Sequence, residues 1–284
     1  MVFIKLQLML LLIGFFIMYE VVVFDLDGTL LSPQHSLTLF SKQVIRKIYK
    51  NHQIIFVIAT GRNYIDVENI KNKINIPIYS ITSNGAMIHN TKNQMLFRAN
   101  LKKNIARDLF TFLYNNNKIF TNIYKNDKWF INDHNFLEKK YFCESHFDYK
   151  IFSPEKFSSD GITKIFFTTN HKKKLIILKK KIKDRWKKKI NITFSRSNCL
   201  DITAKNISKG NSLKMLLNKV LKISLKRCIA FGDGMNDKEM LNIVGKGYIM
   251  DNADKNLKKI LPHIEKIGSN FEDAVAQTLK KIFY

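Results

Sequence analysis

Short apolar runs alternate with amphipathic stretches at both ends of the chain. The runs are rich in Val, Ile and Phe, and they are bounded by polar residues, which is typical of strands buried on both faces of a sheet. These strands are predicted at 21–24, 54–58, 78–82, 227–231 and 247–250. Helices are predicted at 36–50, 211–221 and 237–244. In the first helix, Val44, Ile45 and Ile48 recur at the spacing of one helical face.

The middle of the chain has a different pattern, with more aromatic, charged and Asn residues. Strands are predicted there at 120–124, 128–131, 164–169 and 191–195, and helices at 104–115 and 172–188. An α+β unit inserted into an α/β unit accounts for this order, because insertion is tolerated where both ends of the insert leave one edge of the host. The predicted fold class is therefore α/β. A Rossmann-like parallel-sheet core (18–85 and 197–284) carries an inserted α+β domain (86–196).

An apolar run at residues 8–18 precedes the first predicted strand. It is shorter than the roughly 20 residues that a membrane span needs, and no small-residue cleavage site of a signal peptide follows it. It also continues into the strand without a linker, so no membrane partner is expected. We expect Met18 to be the biological start and residues 1–17 to be an artefact of the assigned start. N-terminal sequencing of the native protein tests this expectation.

The chain is strongly basic, with 48 Lys and Arg against 23 Asp and Glu, and a net charge of +25. Nucleic acid, anionic lipid or a phosphorylated substrate could exploit such a field. The alternative is a compositional bias spread over solvated faces. Residues 172–189 carry eleven Lys and Arg, so this helix either binds nucleic acid or presents a solvated outer face. No aromatic or base-reading residue interleaves on the charged face, which favours a solvated surface, and no nucleic-acid partner is expected.

The cysteines and histidines form no metal-like pattern. The chain has three cysteines, Cys143, Cys199 and Cys228, and no two of them form a CxxC motif. A disulfide scaffold and a zinc finger are therefore both disfavoured. We interpret them as small buried side chains of a cytoplasmic protein. The histidines interpreted as incidental are His35, His52, His89, His146, His171 and His263.

Four polar segments adjoin the predicted apolar elements. Their chemistry-bearing residues are Asp25, Asp27, Gly28 and Thr29, then Thr60 and Gly61, then Lys209, then Asp233, Asn236 and Asp237. Two carboxylates at the carboxyl end of a buried strand are costly without a function, and active sites of open α/β sheets form at that edge. A plain Asp-Gly turn explains Asp27 and Gly28 but not Asp25. Several carboxylates at neighbouring strand ends predict a Mg²⁺ site.

Together these segments resemble the haloacid dehalogenase-like phosphatase superfamily, whose pattern is DxDGT, a strand-end Thr or Ser, Lys and GDGxND. The long insert, with Asn84 in the segment TSNGA at 82–86, is similar to the Cof-type branch with a large α/β cap. The resemblance covers residues 18–284. It is strongest to bacterial enzymes that hydrolyse sugar phosphates and pyridoxal phosphate, and so it implies a phosphatase of small phosphorylated metabolites.

The resemblance also implies roles for the site residues. Asp25 becomes the nucleophile that forms an aspartyl-phosphate, Asp27 the general acid and base, and Lys209 the cation that neutralises charge. The implied contacts of the phosphate are Thr60, the backbone after Asp25 at Gly28 and Thr29, Gly61, Asn84 and Asn236. The implied ligands of Mg²⁺ are Asp25, the carbonyl of Asp27, and Asp233. Asp237 either supports the metal through water or holds Lys209.

Alternatives remain at this point. Tyr124, Trp129, Phe130 and His134 are candidates for stacking on a flat substrate such as pyridoxal phosphate, or they form the core of the cap itself. A phosphomutase would share the DxDGT start and a similar cap, but would retain a bisphosphate instead of releasing phosphate. A basic nucleic-acid-binding protein would not need the whole catalytic set. We expect a monomer or homodimer.

Overall fold

The computed structural model describes residues 19–114, 116, 118–132 and 148–284, and their strands form two sheets. The strands are β1 (Val21–Phe24), β2 (Ile55–Ala59), β3 (Ile78–Thr82), β4 (Met87–His89), β5 (Met95–Arg98), β6 (Phe120–Lys125), β7 (Lys128–Ile131), β8 (Tyr149–Ile151), β9 (Ile162–Thr168), β10 (Ile190–Arg196), β11 (Cys199–Ala204), β12 (Cys228–Gly232), β13 (Lys246–Met250) and β14 (Glu265–Ile267). The α-helices are α1 (Leu39–His52), α2 (Tyr64–Ile74), α3 (Lys103–Phe112), α4 (Lys172–Trp186), α5 (Lys209–Met215), α6 (Lys238–Ile243), α7 (Lys255–Ile260) and α8 (Ala274–Phe283).

The larger sheet has the order β14-β13-β12-β1-β2-β3-β4-β5. Its first six strands are parallel, and β4 and β5 are antiparallel additions at one edge. The central strand β1 is buried along its whole length, which is why its sequence is a continuous apolar run and not an alternating one. The predicted α/β class with a parallel-sheet core is confirmed. This order places the carboxyl ends of β1, β2, β3 and β12 side by side.

Three strands near the predicted edges of the insert pair in ways that the sequence did not indicate. The strands β4 and β5 follow the predicted edge at 86, yet they pair with β3 in the larger sheet. The strand β11 follows the predicted edge at 196, yet it pairs with β9 and β10 in the second sheet. The sequence did not indicate these pairings because short strands of mixed polarity show which residues are extended but not which strand they join.

The second sheet has the order β10-β11-β9-β6-β7-β8 and is antiparallel except for the pair β7 and β8. The helices α3 and α4 cover one face of it, in one cluster of apolar side chains. The opposite face carries Tyr124, Trp129 and Phe166, and Ile65 of the larger domain packs against this cluster. We call this inserted unit the cap, because this face closes over the carboxyl edge of the larger sheet.

The basic helix α4 has the apolar face that its sequence predicts. Its buried residues are Leu175, Leu178, Ile182 and Trp186. Within the described part of the chain, no helix combines the length and the apolar character that crossing a membrane requires. The apolar run 8–18, His134 and Cys143 lie outside the described residues.

Candidate active site

The turn after β1 brings Asp25 and Gly28 against the loop that follows β12. The Asp25 N–H donates to the carbonyl of Phe231 at 3.1 Å, which continues the pairing of the two strands. Gly28 has a φ of +78°, and a Cβ at this position would lie 2.3 Å from Oδ2 of Asp233. A larger residue would therefore be strained and would collide with a carboxylate.

The loop after β12 is ordered by its own carboxylates. Oδ2 of Asp237 accepts from the N–H groups of Asp233 and Gly234, at 3.0 and 2.9 Å. Thr29 donates its hydroxyl to Oδ1 of Asp233 at 2.8 Å, which ties this loop to the turn after β1. The side chain of Thr29 therefore holds Asp233, and the phosphate contact that the resemblance implies at this position is one of the backbone.

Lys209 is the first residue of α5, whose N-cap is Ser208. Its side chain is fully buried, with Nζ 2.8 Å from Oδ1 of Asp25 and 2.7 Å from Oδ1 of Asp237. Burial alone would lower the pKa of Lys209, but the charges of Asp237 and Asp25 outweigh burial and raise it above its usual value. Lys209 is therefore a fixed cation beside Asp25.

Asp25, Asp233 and Asp237 offer carboxylate oxygens that all lie within 4.8 Å of one another. Burial raises the pKa of Asp25 to about 7, opposed by Lys209 and assisted by Asp237. Burial, with the charges of Asp25 and Asp237, also raises the pKa of Asp233 well above its usual range. Lys209 contacts only two of these three carboxylates, so the group carries uncompensated negative charge when it is ionised. An all-oxygen donor set suits a hard divalent cation such as Mg²⁺. The residues present thus fit the predicted ion.

The carboxylate of Asp27 lies outside this acidic group and is contacted by two arginines and a histidine. Arg62 binds it in a bidentate manner, with Nε 2.7 Å from Oδ2 and Nη2 2.6 Å from Oδ1. His35 and Arg196 also contact Oδ1, at 2.8 and 2.9 Å. Burial would raise the pKa of Asp27, but the hydrogen bonds and charge of Arg62, with His35 and Arg196, hold it well below its usual range.

A buried polar chain connects the remaining predicted residues to the cap. Asn236 donates to Oδ1 of Asn84 at 3.0 Å, and Asn84 donates to Oδ2 of Asp201 at 2.9 Å. Oδ1 of Asp201 lies 2.9 Å from Nζ of Lys164, which also donates to the carbonyl of Gly61 at 2.8 Å. The cap thereby fixes the loops that follow β2, β3 and β12.

Thr60 lies at the end of β2, beside this chain. Its N–H donates to the carbonyl of Ile81 at 2.8 Å, and its hydroxyl accepts from the Arg62 N–H at 3.2 Å. Thr60 and Gly61 both border the cavity described next.

A cavity lies between the carboxyl edge of the larger sheet and the cap. Its lining residues are Asp25, Asp27, Thr60, Gly61, Arg62, Tyr124, Lys164, Phe166, Thr168, Ser195, Arg196, Asn198, Cys199 and Asn236. Of the predicted aromatic contacts, Tyr124 borders this cavity. Trp129 is buried, is not part of the lining, and donates its ring N–H to Asn122. Phe130 packs against Phe157 in the apolar cluster covered by α3 and α4. For Trp129 and Phe130 the alternative of a role in the core of the cap therefore holds.

Sequence reasoning missed several side chains of this site. Arg62 directly follows Gly61 in a segment already singled out, so its position was a usable signal. His35 was interpreted as incidental but binds Asp27. Lys164 and Asp201 carry no local signal, because each is a single charged residue within a cap strand, and only the pairing of the strands brings them together.

An acidic group, a buried lysine and a cap over a cavity meet at this edge of the sheet, an arrangement that suits a hydrolase of phosphoric monoesters. The family model of the haloacid dehalogenase-like hydrolases matches residues 22–279, and the chain belongs to this family.

Individual relatives span almost the whole chain. A protein of Buchnera aphidicola subsp. Baizongia pistaciae, provisionally named as a phosphatase, is 43% identical over 267 residues, which are 94% of this chain and 99% of the relative. An HMP-PP phosphatase of Escherichia fergusonii is 32% identical over 269 residues, which are 92% of this chain and 95% of the relative. The structure of a haloacid dehalogenase-like hydrolase from B. subtilis superimposes with a TM-score of 0.81 at 26% identity, covering 92% of this chain and 99% of that one.

Proposed function

We propose that the protein is a Mg²⁺-dependent phosphatase of small phosphorylated metabolites that works through an aspartyl-phosphate on Asp25. The observation that carries the proposal is the placement of Asp25. Its carboxylate borders the cavity, contacts the fixed cation Lys209 and belongs to the oxygen-donor group with Asp233 and Asp237. A carboxylate needs no base to act as a nucleophile, but it needs nearby positive charge before an anionic substrate can approach.

In the first step, a carboxylate oxygen of Asp25 forms a bond to phosphorus, and the bond from phosphorus to the leaving oxygen breaks. The leaving oxygen takes a proton from Asp27. In the second step, Asp27 removes a proton from water, the water oxygen bonds to phosphorus, and the bond to Asp25 breaks to release phosphate. Asp25, Asp233 and the carbonyl of Asp27 would hold Mg²⁺, which supplies charge that offsets the repulsion between Asp25 and the substrate.

The cations around Asp27 favour one half of this cycle. With Arg62, His35 and Arg196 in contact, Asp27 is ionised, which is the state that activates water in the second step. Proton donation in the first step requires a smaller positive charge around the carboxylate. A cation that can leave Asp27 when substrate enters would provide it, and Arg196 is the one that the cap supplies.

The cavity supports a small substrate with a flat or apolar part. Tyr124 and Phe166 form an aromatic wall opposite the polar edge of the core, and their rings lie 4.9 Å apart. Pyridoxal phosphate, sugar phosphates and HMP-PP, the substrate in the name of several relatives, are the substrates we propose to compare.

The first prediction concerns metal dependence. The full chain is expected to release inorganic phosphate from at least one of these substrates with Mg²⁺, and to lose this activity in excess chelator, because the acidic group then repels the substrate. Phosphate release with and without Mg²⁺ is the measurement, with the Asp25→Asn variant as control. Equal release in chelator would refute the metal requirement, and transfer of phosphate without its release would indicate a mutase.

The second prediction concerns Asp27→Asn. An amide cannot exchange the proton, so kcat is expected to fall by about 10²–10⁴-fold while KM changes much less. The matched control is Asp108→Asn, because Asp108 pairs with Arg185 on the surface of the cap, away from the cavity. Equal losses in substrate binding and turnover would argue against an acid–base role for Asp27.

A further inference from the structure

Arg196 is the last residue of β10 and reaches from the cap to the core. Its Nη2 lies 2.9 Å from Oδ1 of Asp27, and its side chain is 32% exposed where it borders the cavity. The side chain of Arg196 is therefore more exposed than that of Lys164, the other cation that the cap contributes to the lining. The Lys164 side chain is 4% exposed and is held by Asp201.

The Asp27 carboxylate already has a stronger partner. Arg62, with a side chain only 8% exposed, binds both of its oxygens. Oδ1 therefore receives Nη2 of Arg62 at 2.6 Å and Nδ1 of His35 at 2.8 Å in addition to Arg196. A carboxylate oxygen has about two lone-pair sites. The contact of Arg196 is the longest of the three and comes from the more exposed arginine, so it is the contact that an incoming anion displaces at the lowest cost.

The position of this guanidinium relative to Asp25 defines what it can bind. Asp27 is two residues from Asp25 in the same turn, so an anion held by Arg196 lies close to the phosphoryl group under attack. Ser195 and Asn198 flank Arg196 in the lining and add neutral polar groups for a carboxylate or a phosphate. A planar guanidinium matches either anion with paired hydrogen bonds.

We propose that Arg196 is a specificity-determining residue that binds a second anionic group of the substrate, a carboxylate or a second phosphate close to the scissile phosphate. The inference rests on the proposed function and deepens it, because it selects among phosphorylated metabolites those with two neighbouring negative groups. Binding of that group removes Arg196 from Asp27, so substrate selection and the surroundings of Asp27 change together.

The test uses substrates that differ in one group. 2-Phosphoglycolate and 2-hydroxyethyl phosphate differ only by a carboxylate in place of a hydroxymethyl group, and ethylene glycol bisphosphate supplies the phosphate arm. Wild-type protein is expected to favour the doubly anionic substrates by about tenfold or more in kcat/KM, the range of one charged hydrogen-bonded contact. The Arg196→Gln variant is expected to bring this ratio close to one, and Arg196→Lys to retain part of it. Whichever of the carboxylate and phosphate arms shows the larger loss identifies the second group.

The control is Arg185→Gln, which removes the same charge from the outer surface of the cap and should leave the ratio unchanged. A ratio near one in wild type, or an equal loss for all substrates in Arg196→Gln, would overturn the proposal and leave Arg196 as a contact that only holds the cap closed. Absence of phosphate release from every substrate would count against the proposed function instead. Calorimetry of the two matched substrates on the Asp25→Asn variant and on the Asp25→Asn/Arg196→Gln variant tests the inference without turnover. If 2-phosphoglycolate bound both variants with the same affinity, the inference would be refuted.

Discussion

Replacing Asp25 with Asn is expected to abolish phosphate release, with a loss of about 10⁴-fold or more, as for removal of other catalytic nucleophiles. The amide has nearly the same shape, and its oxygen can still accept from Nζ of Lys209, which lies 2.8 Å from Oδ1 in the native site. It cannot form the aspartyl-phosphate. Steady-state phosphate release with Mg²⁺ is the measurement, and near-native activity of the variant would refute the mechanism.

The same variant is expected to be at least as stable as the native chain when no metal is bound. Burial raises the pKa of Asp25 to about 7, from its usual value near 4, because its charged form is disfavoured in the fold. The folded state therefore prefers the protonated carboxyl, so the favourable contribution of Asp25 is present at low pH and is lost as pH rises from about 4 to 7. Asn carries no charge at any pH, and its advantage should grow across this range.

Thermal unfolding in chelator at pH 4, 5.5 and 7.5 checks the direction of this pH dependence. The melting temperature of Asp25→Asn should rise relative to that of the native chain as pH increases. The control is Asp127→Asn, because Asp127 lies in the turn between β6 and β7 of the cap, is 39% exposed and pairs with Arg98 outside the lining of the cavity. A variant that loses stability relative to the native chain at pH 7.5 would show that Lys209 compensates the Asp25 charge fully.

The features of this structure that were predictable from sequence are those that depend on a short run of consecutive residues. A buried parallel strand is a continuous apolar run, so β1 and β12 were recognisable, and the acidic residues that follow them had to lie at the same edge of the sheet. The structure brings Asp25, Asp233 and Asp237 together there. The position of Lys209 between two of these carboxylates followed only from the family resemblance, since one lysine before a helix is a weak signal.

The parts that were not predictable depend on contacts between distant segments. The buried pair of Lys164 and Asp201 exists because β9 and β11 are neighbours, and strand order is not encoded in local pattern. The contact of Arg196 with Asp27 also requires the cap to close on the core. The sheets to which β4, β5 and β11 belong were not predictable for the same reason, because only their pairing partners reveal them.

Lys209→Met is expected to produce the second large effect, on activity and stability together. Removing this cation leaves Asp25 and Asp237 buried beside each other without their shared partner. Breaking a buried ion pair by removal of one partner costs about 3–5 kcal/mol. Activity should fall by about 10³-fold or more, because the substrate phosphate then meets the acidic group without its fixed cation.

A second substitution separates the two effects. In Lys209→Met/Asp237→Asn, one of the stranded charges is removed, while Asn at 237 can still accept from the N–H groups of Asp233 and Gly234. Most of the lost stability should return, but the activity should not, since the cation beside Asp25 is still missing. Denaturant unfolding in chelator and phosphate release with Mg²⁺ measure the two quantities on the same preparations.

The matched control for Lys209 is Lys71→Met. Lys71 is also buried, but it donates to Oδ1 of Asn93 at 2.6 Å, outside the lining of the cavity, and burial lowers its pKa to about 8. Its replacement should leave kcat within about threefold of the native value, the scatter expected of a substitution that contacts neither substrate nor catalytic groups. If the double variant recovered activity together with stability, the loss in Lys209→Met would be a loss of folded protein, and Lys209 would be a structural counter-ion. If stability returned alone, the charge of Lys209 would be required for the reaction itself.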